Sequence, residues 1–193
     1  MDSPSLVGQL LVATPLLEDP NFRRAVVLVL DDDPVEGTLG VVVNRPSTLP
    51  VAEVLEEWGA YASEPGVMFM GGPVGTDAGF ALGMSASGSR PPGWSPLGPT
   101  GAAFPIAGVG TVDLDASPAG AVGVGPLRVF AGYAGWGAGQ LLDEIREGAW
   151  YLVAAQVEDV FCADPESLWA RVLRRQGGDL ALVSTFPDDP SLN

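Results

Sequence analysis

The sequence predicts an α+β fold, in which a mixed or antiparallel sheet carries a few flanking helices. Segments rich in Val, Leu and Ile with the length of a strand outnumber the segments with helical spacing. Most of these strand candidates also follow one another along the chain without an intervening helix, whereas a doubly wound parallel sheet alternates the two. The length of 193 residues suits one domain, 1–193, that can bury a large core.

Nine segments have the composition of strands. They are LVGQLLVA (6–13), AVVLVL (25–30), TLGVVVN (38–44), VMFM (67–70), GFALG (79–83), VGTVDLD (109–115), LRVFAG (127–132), AWYLVAA (149–155) and LALVSTF (180–186). Pro15 ends the first, because proline lacks the N–H that a sheet ladder requires. The separator DDDPVEG is rich in Asp, Pro and Gly, which indicates a long hairpin loop between the second and third. The ninth is predicted to be an edge strand.

Two helices are predicted before residue 150. The first begins near Pro50, presents Val51, Val54, Leu55 and Trp58 at helical spacing, and stops at Gly59. The second covers 139–148, where Leu141, Leu142 and Ile145 form an apolar face.

The last helix has the most complete signals. Asp164 can cap its N-terminus and Pro165 fits its first turn. An apolar stripe follows, and Arg174 and Arg175 suit the negative end of the helix dipole. The stripe consists of Leu168, Trp169, Val172 and Leu173. Residues 187–193 are predicted to be a solvated tail.

Residues 83–126 differ from the rest in composition, since they are rich in Gly, Pro and Ser. Such a segment cannot sustain a helix. A free linker would not carry the large apolar residues Trp94, Leu97, Phe104 and Ile106, so we predict a long surface excursion pinned by them and mobile near 87–93.

Composition and charge exclude several classes of protein. The apolar content of 47% is too high for a disordered chain, and no apolar run approaches the roughly 18 to 20 residues that span a bilayer. The N-terminus lacks the features of a signal peptide, and Cys162 is the only cysteine, so we expect a cytoplasmic protein. The net charge of −15 disfavours nucleic acid and anionic membranes as partners.

The missing residue types narrow the possible chemistry. The chain has nine Arg but no Lys and no His. A Ser-His-Asp triad, a Schiff-base lysine and a P-loop lysine therefore cannot form within it. One Cys without His supplies no ligand set for structural zinc. We expect no cofactor and no metal, and only carboxylates, Tyr, Arg, hydroxyls, the thiol and backbone amides remain available for catalysis.

Several motifs in the same order resemble the YqgE/AlgH-like family. They are GQLLVATP (8–15), GTLGVVVNRP (37–46), MGGPV (70–74), GYAGWGAGQLLDEI (132–145), AW (149–150) and LW (168–169). The resemblance covers roughly residues 5 to 175. It implies a compact α+β fold whose bifurcated sheet forms a pseudo-barrel. It implies little about activity, since members are largely uncharacterised and some are labelled transcriptional regulators. The excursion 83–126 is longer and looser than the family pattern.

Three groups of residues are candidates for a ligand-binding cleft. Asn44 and Arg45 end a strand ahead of a helix, where Arg45 can fork onto an anion. Alternatively, Asn44 makes an Asx-type turn and Arg45 pairs with a neighbouring acid. Gly71, Gly72 and Pro73 can form an amide nest for an anion, although such a triplet more often makes a tight turn.

The third group lies in FAGYAGWGAGQLLDEI (130–145). Its glycines let the chain leave a strand, turn sharply and enter a helix. Tyr133 and Trp136 can close over an apolar floor while offering an O–H and an N–H to a cleft. Gln140 can bond backbone amides across the same corner. The rings are therefore predicted to plug the loop onto the core, with a binding role if their polar tips stay exposed.

The remaining acids and the thiol favour structural roles. Asp31, Asp32, Asp33 and Glu36 lack the spacing of an EF-hand and suggest a solvated turn. Asp113 and Asp115 share one face if 109–115 is a strand, whereas Asp143 and Glu144 diverge on a helix. Cys162 stands in VFCAD and is predicted to be a small buried hydrophobe.

The function predicted from these features is a binding or regulatory module. It would act through an unidentified small molecule or protein partner without direct contact to nucleic acid or membrane, as a monomer or homodimer. The alternative is an enzyme of unknown reaction that uses carboxylates and Arg in a cleft.

Overall fold

The computed structural model describes residues 5–86, 89–97, 106, 108–121 and 123–188. The strands are β1 (Gln9–Ala13), β2 (Val26–Asp33), β3 (Gly37–Val42), β4 (Pro46–Pro50), β5 (Val67–Met70), β6 (Val74–Ser85), β7 (Trp94–Pro96), β8 (Val109–Val112), β9 (Val124–Trp136) and β10 (Trp150–Ala154). The helices are α1 (Val51–Val54), α2 (Gln140–Arg146), α3 (Val157–Val160), α4 (Leu168–Gln176) and α5 (Gly178–Val183). Short 3-10 helices cover Glu56–Tyr61, Pro118–Ala121 and Pro165–Ser167.

The strands form one curled sheet that forks. Its order is β10-β1-β2-β3-β9-β6-β8-β7, and β4 pairs with β5, which joins β9 as a branch. The paired strands run antiparallel except for β5 and β9, which are parallel. The predicted α+β class with a mixed, bifurcated sheet is therefore confirmed.

The sheet forks at β9, because β5 and β3 pair with different parts of the same edge of β9. Residues 130–131 of β9 pair with β5, and residues 134–136 pair with β3. Between them, the Gly71 N–H donates to the Ala131 carbonyl, and the Gly71 carbonyl accepts from the Val42 N–H, both at 2.8 Å. Gly71 thus joins the two branches by its backbone.

Both faces of the central strands are covered, which explains their continuous apolar runs. In β2, Val26 and Leu28 point into a cluster closed by α3 and α4. Val27 and Val29 point to the opposite face, into a cluster closed by α2 and Trp150. A third cluster around Trp58 fills the space between α1 and the strands β5, β6, β8 and β9. Because the side chains on both faces of such a strand are buried, its sequence shows no alternation of apolar and polar residues.

The last helix follows the sequence closely. Pro165 opens a 3-10 helix that leads into α4, and all four residues of the predicted stripe are buried. Asp164 makes no side-chain cap hydrogen bond. In contrast, the predicted edge strand 180–186 is wrong, because α5 occupies Gly178–Val183. Leu180 and Val183 pack on the core three residues apart, which is a helical spacing.

The sequence did not predict β4 and β7, and β9 is longer than predicted. β4 was missed because it is a short edge strand that begins and ends with proline. The predicted exit from β9 at Gly132 is wrong, since the strand continues through Trp136. Its glycines make room for a neighbouring backbone, and the turn into α2 comes at 137–139.

The excursion 83–126 contains β7, β8 and one 3-10 helix. Leu97 and Ile106 are buried as expected, and the half-buried Trp94 donates its indole N–H to the Gly83 carbonyl at 2.9 Å. The predicted anchor Phe104 lies outside the described residues, as do residues 87–88 and 189–193.

The fork predicts unequal effects of two glycine substitutions. A methyl group at Gly71 would overlap the Gly132 carbonyl oxygen, whereas one at Gly79 would lie 3.6 Å from the Phe130 carbonyl oxygen. We expect Gly71→Ala to lower the free energy of unfolding by about 1 to 3 kcal/mol or more. The control Gly79→Ala should change it by less than about 0.5 kcal/mol. Urea denaturation measures both, and equal midpoints would contradict the close approach.

Candidate functional site

The corner between β9 and α2 is organised by one carboxylate. Glu144 accepts the indole N–H groups of Trp136 and Trp150 on Oε2, each at 2.9 Å, and the Gln140 amide on Oε1 at 3.0 Å. Gln140 in turn accepts the Gly137 N–H at 3.0 Å, so the predicted amide contact across the corner is present. Gln140 and Glu144 lie one helical turn apart on α2, and this spacing is the signal by which the sequence could have shown their contact.

The aromatic side of this corner is closed by Phe22. Its ring stacks on Trp136 with centroids 6.0 Å apart and meets Trp150 edge-on at 5.6 Å. Trp136 is only 5% exposed and its N–H is engaged by Glu144. The ring therefore plugs the loop onto the core, and its polar tip is used internally.

The side chains of Asn44 and Arg45 hold the loop that precedes β2. Asn44 is buried, accepts the Val26 N–H at 2.8 Å and donates to the Arg24 carbonyl at 2.9 Å. Arg45 donates to the carbonyls of Pro20 and Arg23. Burial lowers the pKa of Arg45. Both side chains thus bond to the loop backbone, where the sequence had offered an anion, an Asx turn or an acid.

Gly71, Gly72 and Pro73 lie beside Tyr133 at the fork of the sheet. Gly72 has φ +155°, and a methyl group on it would overlap the Tyr133 backbone. Gly71 uses both its N–H and its carbonyl within the sheet. The two glycines therefore have a packing role, because they let this segment pass close to the neighbouring backbone.

The eight predicted site residues therefore fall into separate places. Gly71, Gly72, Pro73 and Tyr133 gather at the fork, close to Arg45, whose carbonyl accepts the Met70 N–H at 2.8 Å. Trp136 pairs with Thr38, six residues along the chain from Asn44 and so roughly 20 Å away at the rise of a strand. Their binding role stays a prediction.

A groove that the sequence did not reveal lies beside the loop held by Asn44 and Arg45. Its volume is about 610 Å³, and it runs between the loop after β1, α4 and the segment after α5. It is lined by Thr14, Pro15, Leu16, Leu17, Glu18, Arg23, Arg24, Trp169, Phe186 and Pro187. The floor is apolar, and two guanidinium groups stand at its side.

Arg24 occupies a special position in this groove. Among the described residues it is the one non-glycine with positive φ, at +54°. Its guanidinium lies over the Trp169 ring at 4.3 Å from the centroid, and the Trp169 indole N–H donates to the Ala13 carbonyl at 2.8 Å. A left-handed arginine costs conformational energy, so the surrounding contacts over-determine its placement.

A smaller groove of about 340 Å³ lies between α3 and α4. It contains Arg171, Arg174 and Arg175 but also Glu158 and Asp159. Arg175 forms an ion pair with the buried Asp159, which also caps α3 through the Gln156 N–H at 2.8 Å. In this groove, Arg175 and Asp159 therefore satisfy each other across the contact between α3 and α4.

One arginine is buried in the core. Arg128 of β9 is 1% exposed, lies 4.1 Å from the Phe69 ring centroid and donates to the carbonyls of Glu64 and Val160. Burial lowers its pKa to about 10. Cys162 is buried as predicted, and its sulfur accepts from Arg171 at 3.0 Å.

The acids of the β2–β3 hairpin make structural contacts. Asp33 accepts the N–H groups of Val35 and Glu36 within the turn, and these bonds lower its pKa. Asp32 accepts the Leu6 N–H and the Thr38 hydroxyl. In the described part of the chain, no three His, Cys, Asp or Glu residues are grouped as metal ligands.

The family is decided by a sequence comparison. The family model described as AlgH-like matches residues 10–181. The chain belongs to the AlgH-like family. A UPF0301 protein of Thermobifida fusca is 63% identical over 194 residues, covering 100% of this chain and 98% of the relative. One of Streptomyces coelicolor is 56% identical over 196 residues, covering 98% and 96%.

Two solved structures show the same AlgH-like fold. A crystal structure of a protein from Corynebacterium diphtheriae has a TM-score of 0.83 at 30% identity, covering 96% of this chain and 94% of that one. The solution structure of AlgH from Pseudomonas aeruginosa has a TM-score of 0.67 at 33% identity, covering 98% of both. Among the described residues, none of the helices is long and apolar enough to cross a membrane.

Two of the motifs that carry the family resemblance meet at the larger groove. GQLLVATP ends in Thr14 and Pro15, and LW supplies Trp169. Thr14 is fixed by its hydroxyl, which donates to the Gly148 carbonyl at 2.7 Å. These motifs are more than 150 positions apart in the chain, so only the fold reveals that they share a site.

The contacts of Trp136, Asn44 and Arg45 predict the relative cost of replacing each of them by alanine. Trp136→Ala removes a buried ring and leaves two of its aromatic neighbours unsupported, so we expect a loss of about 3 to 5 kcal/mol in the free energy of unfolding. Asn44→Ala should cost about 1 to 3 kcal/mol, because the Val26 N–H loses its acceptor. Arg45→Ala should cost least. Chemical denaturation followed by circular dichroism ranks them, and an unchanged midpoint for Trp136→Ala would contradict a structural role.

Proposed function

We propose that the protein is a binding or regulatory module that acts through a small-molecule or protein partner and not by direct contact with DNA. The observation that carries the proposal is the groove of about 610 Å³ with a left-handed Arg24 seated over Trp169. Strained backbone persists where surrounding structure maintains it, and such positions cluster at ligand-binding sites. The groove therefore replaces the Asn44–Trp136 region as the first place to test for a ligand.

The lining indicates the kind of ligand. Pro15, Leu16 and Leu17 offer apolar surface, and Leu16 is 81% exposed. Arg23 and Arg24 supply cationic forks that suit a carboxylate. The net charge of −15 disfavours acidic ligands elsewhere on the chain, whereas this adjacent pair of arginines can attract an acidic group. A carboxylate that carries an aryl or alkyl group matches both features.

The position of the other arginines supports the exclusion of DNA. Five of the seven others donate to groups of the same chain, namely Arg45, Arg128, Arg146, Arg171 and Arg175. Binding of a duplex requires several phosphate contacts from Lys or Arg on one surface. Any transcriptional effect would then run through a partner. An enzyme that uses carboxylates and Arg remains the alternative, and no contact of the described residues specifically favours it.

The groove predicts saturable binding of a small carboxylate. We expect 3-phenylpropionate to shift the NMR signal of the Trp169 indole N–H in a saturable manner, because the ring lines the groove beside Arg24. Arg24→Gln should weaken this binding by about tenfold or more, which corresponds to the loss of one charge-assisted contact. Arg146→Gln is the matched control, since Arg146 pairs with Asp143 on α2. Equal binding by both variants would place the ligand elsewhere.

The charge distribution predicts a negative result with nucleic acid. When labelled duplex DNA is titrated at low salt, where electrostatic binding is strongest, we expect no saturable complex at or below roughly micromolar concentration. Sequence-dependent binding in that range, weakening steeply with added salt, would refute the exclusion of DNA.

A further inference from the structure

The segment after α5 forms one wall of the groove and lies against its two arginines. Arg24 donates to the Phe186 carbonyl and forms an ion pair with Asp188, with 2.9 Å between Nε and Oδ1. Arg23 donates to the Asp188 carbonyl. Phe186 and Pro187 are themselves among the lining residues. The carbonyl of an aromatic residue and the carboxylate of an acid two positions later thus both engage Arg24 at the side of the groove.

The anchoring of this segment is light. The Asp188 side chain is 88% exposed and Phe186 is 53% exposed. Ion pairs with such exposure contribute little, since solvent screens them and two side chains lose freedom. Beyond α5, the Thr185 and Phe186 N–H groups bond within the helix end, and the hydrogen bonds found between residues 186–188 and the loop between β1 and β2 come from the guanidinium groups of Arg23 and Arg24, as far as the described residues show. The segment can leave without disturbing a strand of the sheet.

The groove itself is held independently of the segment. Asn44 and Arg45 fix the loop at Arg23, Arg24 and Val26, and the Trp169 indole is fixed by the Ala13 carbonyl. When the segment leaves, Phe186 and Pro187 leave the lining, whereas the backbone of Arg23 and Arg24 and the Trp169 ring beneath the Arg24 guanidinium stay in place. The two guanidinium groups then lack their partners in the segment. A weakly held segment that covers a preorganised binding surface competes with any other ligand of that surface.

We propose that residues 186–188 are a built-in competitor in the groove, and that a partner protein binds there through a peptide segment with an aromatic residue followed two positions later by an acid. This inference rests on the proposed function of the same groove. The partner's aromatic ring takes the place of Phe186 in the lining of the groove. Its carboxylate takes the place of Asp188 on Arg24, and its backbone carbonyls accept from the two arginines.

The test compares full-length chains that differ only in the competitor. The probe is the capped peptide acetyl-Thr-Phe-Pro-Asp-amide, which copies residues 185–188, and its control is acetyl-Thr-Ala-Pro-Asn-amide. Binding is followed by the Trp169 indole signal. The double variant Phe186→Ala/Asp188→Asn should bind the probe on the order of tenfold more tightly than the unmodified chain, because the internal ligand no longer occupies the groove. Asp179→Asn, which removes one acid from α5, should leave the affinity unchanged.

The arginines supply the second arm. Arg24→Gln introduced into the double variant should abolish the gain, and Arg23→Gln serves the same purpose if the first variant fails to fold by circular dichroism. Equal affinity of the unmodified chain and the double variant for the probe would overturn the competitor, while binding of 3-phenylpropionate to both would leave the proposed function standing. If neither chain responds to peptide or carboxylate, the proposed function fails as well. Equal binding of the control peptide overturns the aromatic-acid preference.

Discussion

The passage of Gly71 between β3 and β9 is the constraint on which the rest of the structure depends. Its N–H and carbonyl bond to Ala131 and Val42, and there is no room for a side chain between it and Gly132. This contact fixes the point at which the sheet forks. The branch with β4 and β5 then covers one part of β9, while β3 and β2 continue from the other.

The fork also determines where the neighbouring polar residues lie. β3 ends beside it, and Asn44 and Arg45 follow directly. Because β2 is antiparallel to β3, the start of β2 and the loop before it come within reach of these two side chains. Asn44 and Arg45 use their polar atoms on that loop, which explains how a loop of largely exposed residues can present Arg23 and Arg24 in fixed positions.

The same loop connects two regions that the sequence keeps far apart. On one side Phe22 enters the aromatic cluster with Trp136 and Trp150, where Glu144 satisfies both indole N–H groups. On the other side Arg24 lies over Trp169 of α4. The aromatic motifs of the family thus support the groove from beneath, and the conformation of the loop transmits their packing to the two guanidinium groups.

The sequence by itself determined the fold class, the family and the limits on chemistry. Apolar runs separated by turn residues predicted the strands, and the spacing of Leu168, Trp169, Val172 and Leu173 predicted the face of α4, because burial of an amphipathic element leaves a period in the sequence. The absence of Lys and His excluded whole mechanisms before any geometry was known. These properties depend on local spacing or on composition, and both can be read along the chain.

Only the tertiary structure decided which residues share a site. Trp136 and Tyr133 are three residues apart, yet Trp136 donates to the half-buried Glu144 carboxylate and Tyr133 borders the fork. Thr14, Arg24, Trp169 and Phe186 come from four distant segments and form one groove. Whether a glycine-rich stretch becomes a turn or a strand depended on the backbone that passes beside it, as at Gly132. Such meetings are set by long-range pairing in the sheet, and a single sequence carries no periodic signal for them.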